Sequence, residues 1–298
     1  MENQLRNAIR KLLEEKTVDV AIGYGRVGVG GAVGAVFVTD PNEVDRLVWN
    51  AECRQNLAVH LSRPEVKALG KPAIVVKGCD ARAVVVLANE GQIDRENVVV
   101  VGVVCEGIQA ADASGVATGT LLDKCATCVE HAAQNVDILI GDAAKAAELD
   151  AANAPNAKTA GKQAKLAALL QKTPEERFQY WRDEFSRCVR CHACRQSCPL
   201  CYCNRCVADK NRPTRIDTSA TLKGNFAWNI LRAFHLAGRC VGCGACSAAC
   251  PAGIDLDLLN LTLANAADEQ FGYVAGKELG AAPLIGTYAE NDKEEFIR

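Results

Sequence analysis

A chain of 298 residues is long enough for two domains, each with its own core. Its net charge of −2 and pI near 6.1 offer no basic stripe for nucleic acid and no cationic face for an anionic membrane. No apolar run approaches the roughly 18 residues that a bilayer span requires, and residues 1–16 are charged and amphipathic, without the apolar centre of a secretory signal. No membrane insertion is therefore expected. Sixteen cysteines in such a chain predict the reducing cytoplasm, with metal or redox chemistry in place of disulfides.

Leu5, Ile9, Leu12 and Leu13 fall at helical spacing, so residues 3–16 are expected to form an amphipathic helix. Residues 18–22 read as a buried strand. Gly23, Gly25 and Gly28 then match the pattern GxGxxG, but a dinucleotide fingerprint has to open a helix. Residues 29–38 are rich in glycine, valine and phenylalanine instead, so a glycine-rich hairpin is the preferred reading. Asp40-Pro41-Asn42-Glu43 carries an N-cap, a first-turn proline and an acid, and predicts a helix through Trp49 toward Cys53 and Leu61. Residues 72–77 read as a strand, 78–80 as a tight turn, 81–90 as a helix and 97–104 as a strand ending at Cys105. Cys125-x2-Cys128 follows, then a strand over 136–140. This alternation predicts an α/β N-terminal domain with a mainly parallel sheet over residues 1–150, its ligands outside the carboxyl ends of the strands. An Ala- and Lys-rich connection, partly helical, is expected over 151–173.

Thr173-Pro174-Glu175-Glu176 is a capping box that opens a helix delivering Cys188. Two matching runs follow: Cys188-x2-Cys191-x2-Cys194-x3-Cys198-Pro199 and Cys240-x2-Cys243-x2-Cys246-x3-Cys250-Pro251. Three thiolates at two-residue gaps wrap three corners of a cubane, while the fourth, one turn on, faces the other cluster. Cys188, Cys191, Cys194 and Cys250 are thus expected to hold one [4Fe–4S] cluster, and Cys240, Cys243, Cys246 and Cys198 a second. A zinc ribbon closes at four ligands and has no use for the additional cysteines. Gly242, Gly244 and Ala245 let backbone approach the inorganic core. Arg187, Arg190, Arg195 and Arg239 are either counter-charges or solvated surface, and His192 is a tuning or surface residue. The roughly forty residues between the runs, with a helix predicted over 225–237, point to a mostly helical dicluster ferredoxin domain over 174–265. Residues 266–298 read as an extended tail lying across a partner or the N-terminal half.

Eight cysteines remain: Cys53, Cys79, Cys105, Cys125, Cys128, Cys201, Cys203 and Cys206. The phrases Lys77-Gly78-Cys79-Asp80, Val101-Gly102-Val103-Val104-Cys105 and Cys125-Ala126-Thr127-Cys128, with residues 137–142 after them, resemble the beta subunits of coenzyme F-420-reducing hydrogenase and formate dehydrogenase. The resemblance covers residues 18–142 and implies a third [4Fe–4S] cluster on Cys79, Cys105, Cys125 and Cys128. Left open beside it are a redox pair at Cys125 and Cys128, and buried apolar packing for Cys53 or Cys105. That family also binds FAD through a glycine- and threonine-bearing stretch ahead of its first helix. This chain begins at that helix, so no tightly bound FAD is expected.

Cys201-x-Cys203-x2-Cys206 is one ligand short of a cubane, and Cys53 is the cysteine without a role. A fourth cluster on Cys53, Cys201, Cys203 and Cys206 would use every cysteine; zinc on the same residues is the alternative. Residues 185–262, through Phe234-His235-Leu236-Ala237-Gly238-Arg239-Cys240 and Cys250-Pro251-Ala252-Gly253-Ile254, resemble the dicluster ferredoxin subunits associated with heterodisulfide reductases. The expected function is an electron-transfer subunit partnered by flavin and iron–sulfur oxidoreductase subunits. The alternative is a flavin-containing subunit that itself oxidises or reduces a deazaflavin or nicotinamide. No Ser/His/Asp grouping, paired carboxylates or phosphate loop offers separate catalytic chemistry.

Overall fold

The computed structural model describes residues 1–28, 31–111, 117–210, 212–214 and 216–286. Helix α1 (Glu2–Glu14) buries the expected stripe of Leu5, Ile9, Leu12 and Leu13. Strand β1 (Val20–Val27) pairs antiparallel with β2 (Ala32–Val38), from Ala21 with Val38 to Val27 with Ala32. The glycine-rich stretch is therefore an antiparallel pair as expected, while Val29 and Gly30 lie outside the described residues. Gly25 has a packing reason: a Cβ there would come within 2.6 Å of Val36 Cγ1 and 2.8 Å of the Arg46 carbonyl oxygen.

The predicted helix from Asp40 to Leu61 is not formed. A 3-10 turn at Pro41–Arg46, capped by Asp40, stops at Leu47, whose extended backbone lets residue 47 bridge to Gly25. A second 3-10 turn follows at Leu57–His60. The local start signal was sound, but Val44, Leu47 and Leu57 are wholly buried against the sheet, and no continuous helix presents them there. Tertiary packing overrides propensity here.

Short α2 (Pro64–Lys67) leads to β3 (Pro72–Val76), α3 (Gly78–Asn89) and β4 (Val99–Val103), which form a parallel β-α-β unit. A small antiparallel pair, β5 (Gln109–Ala111) and β6 (Ala117–Leu121), stands apart, and β7 (Ile138–Ile140) joins the main sheet parallel to β4. The sheet order is β2-β1-β3-β4-β7, parallel except for the edge strand β2. Val75, Val76, Val100 and Val101 are fully buried, as a sheet covered on both faces requires.

The connection is largely helical: α4 (Ala143–Asn153) and α5 (Gly161–Leu170). The Thr173–Glu176 capping box forms as expected and starts α6 (Pro174–Ser186). Beyond it lie α7 (Ala193–Gln196), α8 (Leu222–His235), α9 (Ala245–Ala248) and α10 (Leu256–Phe271), the last reaching past the boundary expected at residue 265. Phe185, Leu166, Ile254 and Leu258 form the core of this helical half, with Cys194 and Cys246 inside it.

The two halves meet along α3. Glu90, at its end, accepts from Arg239 Nε at 2.7 Å and from the Tyr202 hydroxyl. The segment after α10 returns to the same helix. Arg82 donates to the Ala275 carbonyl oxygen at 3.0 and 2.6 Å, Asn89 Nδ2 to that of Glu278 at 2.9 Å, and Gly280 N–H to Asn89 Oδ1 at 2.8 Å. The stretch expected as a tail thus lies against α3 as far as residue 280; residues 287–298, with Tyr288, fall outside the described residues. Among the described residues no helix is long and apolar enough to cross a membrane.

Candidate iron–sulfur centres

Two strand ends and one loop build the first thiol group. Cys79 is the second residue of α3, directly after β3; Cys105 follows β4; Cys125 and Cys128 lie between β6 and β7. All four line one cavity of about 210 Å³. Gly78 makes the approach possible: a Cβ on it would lie 2.0 Å from the Glu130 carbonyl oxygen. Burial pushes these thiols up: Cys79 well above the ordinary value, Cys105 above it, and Cys128 to about 11. Backbone N–H groups already face sulfur, as when Glu130 N donates to Cys128 Sγ at 3.4 Å.

In the helical half, Cys188, Cys191, Cys194 and Cys250 line a single cavity, which is the crossed combination expected from the spacing. The complementary four also act on one another. Cys240 is pushed up to about 12, first by burial and then by Cys243 and Cys198; Cys246 is raised by burial and by Asp257, Cys198 and Cys240. Neutral thiols at neutral pH become thiolates when iron binds, so loading releases protons.

The loops that carry these groups share an unusual backbone. Gly242 and Gly244 both have φ of +68°, and the matching positions of the first loop, Arg190 and His192, have φ of +57° and +60°. A residue with a Cβ is strained in this region by about 1–2 kcal/mol. The strain is held by Trp228 of α8: the His192 ring meets it edge-on with centroids 4.9 Å apart, and the Arg190 guanidinium lies over it at 5.4 Å. Glycine at 192 would relieve the strain and lose the ring contact, whereas alanine would lose the ring and keep the strain. His192→Gly is therefore expected to be more stable than His192→Ala by about 1 kcal/mol, measured by anaerobic denaturant unfolding. Equal stability would show that the loop does not hold residue 192 left-handed.

Several buried donors have no partner in the protein: Asn56 Nδ2, Arg232 Nε, and Arg190 Nε and Nη1. Each is beside thiols. Burial raises the Cys243 thiol, with the Lys124 ammonium and the Asn56 amide opposing it, and Arg232, 4% exposed on α8, sits among Cys194, Cys198, Cys201 and Cys246 while donating to the Cys194 carbonyl oxygen at 3.1 Å. Asn260 Nδ2 donates to Cys246 Sγ at 3.7 Å. Orphaned donors directed at buried sulfur are the surroundings an anionic, thiolate-bound cluster requires, so the residues fit [4Fe–4S] centres. Among the described residues, no group of three or more His, Cys, Asp or Glu side chains closes around a single metal ion. Sequence reasoning did not single out Asn56, Lys124 or Arg232. Lys124 had one signal, its place directly before Cys125; Asn56 and Arg232 had none.

The remaining thiols are not gathered as expected. Cys201, Cys203 and Cys206 line one cavity with Arg195, Arg232 and His235. Cys53 does not line that cavity; it is wholly buried in the main core, against which Cys201 is also packed. Its sulfur accepts from Asn50 N–H at 3.4 Å, and burial raises it to about 11, with Lys77, Cys105 and Asp80 as its charged neighbours. The turn at Asn50 tucks residue 53 inward, and Cys53 is not among the residues that line the cavity of Cys201, Cys203 and Cys206.

Comparison with known proteins agrees with this geometry. Residues 184–254 match the family model of the 4Fe-4S dicluster domain. The chain is similar to the F420-dependent formate dehydrogenase subunit beta of Methanocaldococcus jannaschii, 30% identical over 126 residues that cover 41% of this chain and 32% of that protein. It is also similar to the F420-dependent formate dehydrogenase 1 subunit beta of Methanococcus maripaludis, 23% identical over 306 residues covering 76% of this chain and 78% of that protein. In the first of these comparisons the chain spans about a third of its relative's length. The molecule is thus an α/β half joined to a [4Fe–4S] dicluster domain, with formate dehydrogenase beta subunits among its relatives.

Proposed function

We propose that this chain is the iron–sulfur relay of a larger cytoplasmic oxidoreductase of the formate dehydrogenase, hydrogenase or heterodisulfide reductase type. The observation that carries the reading is the succession of thiol groups. The cavity of Cys79, Cys105, Cys125 and Cys128 also touches Val241 and Gly242 of the dicluster loop, and Arg232 sits among cysteines of both ferredoxin runs. When bound, each [4Fe–4S] cluster carries one electron at a potential set by thiolates and hydrogen bonds. The chain's own residues do the rest: cysteines hold, Asn56, Asn260 and Arg232 orient the sulfurs, and the valine-rich sheet excludes water. Partner subunits supply and remove the electrons.

Anaerobic iron and acid-labile sulfide assays test this. Three centres predict about twelve irons per chain. About eight would remove the Cys79 centre, and about sixteen would add a fourth on Cys201, Cys203 and Cys206, with Cys53→Ser then showing whether Cys53 completes it. Stoichiometric flavin released on denaturation would favour the flavin-enzyme alternative.

A further inference from the structure

At the seam between the halves, one cation lies between two of the thiol groups. Lys124 belongs by sequence to the first thiol group, since it directly precedes Cys125, and its Nζ lies 3.8 Å from Cys79 Sγ. Its stem passes over the dicluster loop. A Cβ on Gly244 would come to 3.0 Å from Lys124 Cδ and 3.3 Å from Cε, and Gly244 is left-handed as well, so glycine gives this crossing its room without displacing the lysine. Cys243, the neighbour of Gly244, is close enough to Cys79 for each thiolate to disfavour the other. Among the described residues Lys124 forms no salt bridge with a carboxylate; its hydrogen-bond partner is sulfur. A second group from the α/β half, the neutral amide of Asn56, also bears on Cys243.

We propose that Lys124 is the electrostatic bridge of this seam, its ammonium facing the thiolates of the Cys79 group and of the Cys243 group together, so that it raises the reduction potentials of both centres and keeps them matched. The proposal rests on the iron–sulfur reading above. A fixed positive charge favours the more negative, reduced state of each centre, and it acts strongly where water is excluded. One residue between two centres moves both; a donor facing one of them moves that one. In a single transfer, one electron leaves the centre on one side of Lys124 and enters the centre on the other, with no bond made or broken.

The test is an anaerobic redox titration of the full chain, followed by electron paramagnetic resonance. In Lys124→Gln both midpoint potentials are expected to fall with iron content unchanged, and in Lys124→Arg both are expected to stay near the parent values. Asn56→Ala should shift the Cys243 centre alone. Full iron with one potential moved, or none, in Lys124→Gln would overturn the proposal. Should Lys124→Gln fail to load, the unbranched neutral Lys124→Met takes its place. Iron loss in both neutral variants but not in Lys124→Arg would also overturn it, making Lys124 an assembly residue. A parent protein without iron or without a reduced-cluster signal would defeat the iron–sulfur reading before any variant is compared.

Discussion

Cys250→Ser is expected to remove about four irons from the chain, and to remove them from the centre held by Cys188, Cys191 and Cys194. Its own sequence neighbours, Cys240, Cys243 and Cys246, should keep theirs. The reason is the crossed geometry: Cys250 shares a cavity with Cys188, Cys191 and Cys194, more than fifty residues away in sequence, while Cys198 acts on Cys240, Cys243 and Cys246. Serine is close to cysteine in size but a poor match for iron, so packing survives and ligation does not. Cys198→Ser should give the reciprocal spectrum. The measurement is the loss of one reduced-cluster signal together with the iron count. Loss of the Cys240 centre in Cys250→Ser would mean that each run holds its own cluster.

The second large effect is expected beneath the first centre, at the buried pair of Lys77 and Asp80. Both are 1% exposed, with Nζ to Oδ2 at 2.6 Å. Lys77 also donates to the Gln55 carbonyl oxygen at 2.8 Å and to the Tyr24 hydroxyl, which in turn lies 2.9 Å from Asp80 Oδ2. Burial works to push the Lys77 ammonium down, but Asp80 and the thiols outweigh it and hold it above its ordinary value of 10.5. Asp80→Asn keeps the shape and deletes the charge that offsets the ammonium. Leaving one member of such a pair uncompensated destabilises by about 3–5 kcal/mol. Lys77→Met together with Asp80→Asn should therefore lose less than the sum of the two single changes. Anaerobic urea unfolding measures all three. A loss under about 1 kcal/mol in Asp80→Asn would show that the ammonium escapes to solvent. Since Lys77 is raised in the folded state, its contribution is complete below pH 10.5 and fades only as the pH climbs through the higher native value, so the effect should not vary near neutrality.

The parts of this architecture legible in sequence are those set by short-range rules. Thr173 and Glu176 form their capping box within one turn, and the valine-rich runs at 72–76 and 99–103 become parallel strands because a sheet covered on both faces selects them. The spacing of the two cysteine runs was legible as well, and Cys188, Cys191, Cys194 and Cys250 line one cavity. What sequence could not show is what the tertiary packing decides. Asp40 caps a turn that ends after Arg46, since Leu47 is drawn against Gly23. Cys53 looked available by elimination, yet a turn at Asn50 folds it into the core. Asn56 gains its role only when the two halves dock, and Arg232 only when α8 packs against both cysteine runs; nothing beside them in sequence announces this.

The return of residues 275–280 to α3 has a consequence for the timing of folding. The chain leaves its first half by residue 143 and comes back to it near its end, with Arg82 and Asn89 as the anchor points. Synthesis runs from the N-terminus. The returning segment is therefore made after the last cysteine, Cys250. No nascent chain can fasten this clasp before Cys250 has been made, so the contacts of Arg82 and Asn89 with residues 275–280 form only once all sixteen cysteines of the sequence are present, while Tyr202 and Arg239 can reach Glu90 earlier.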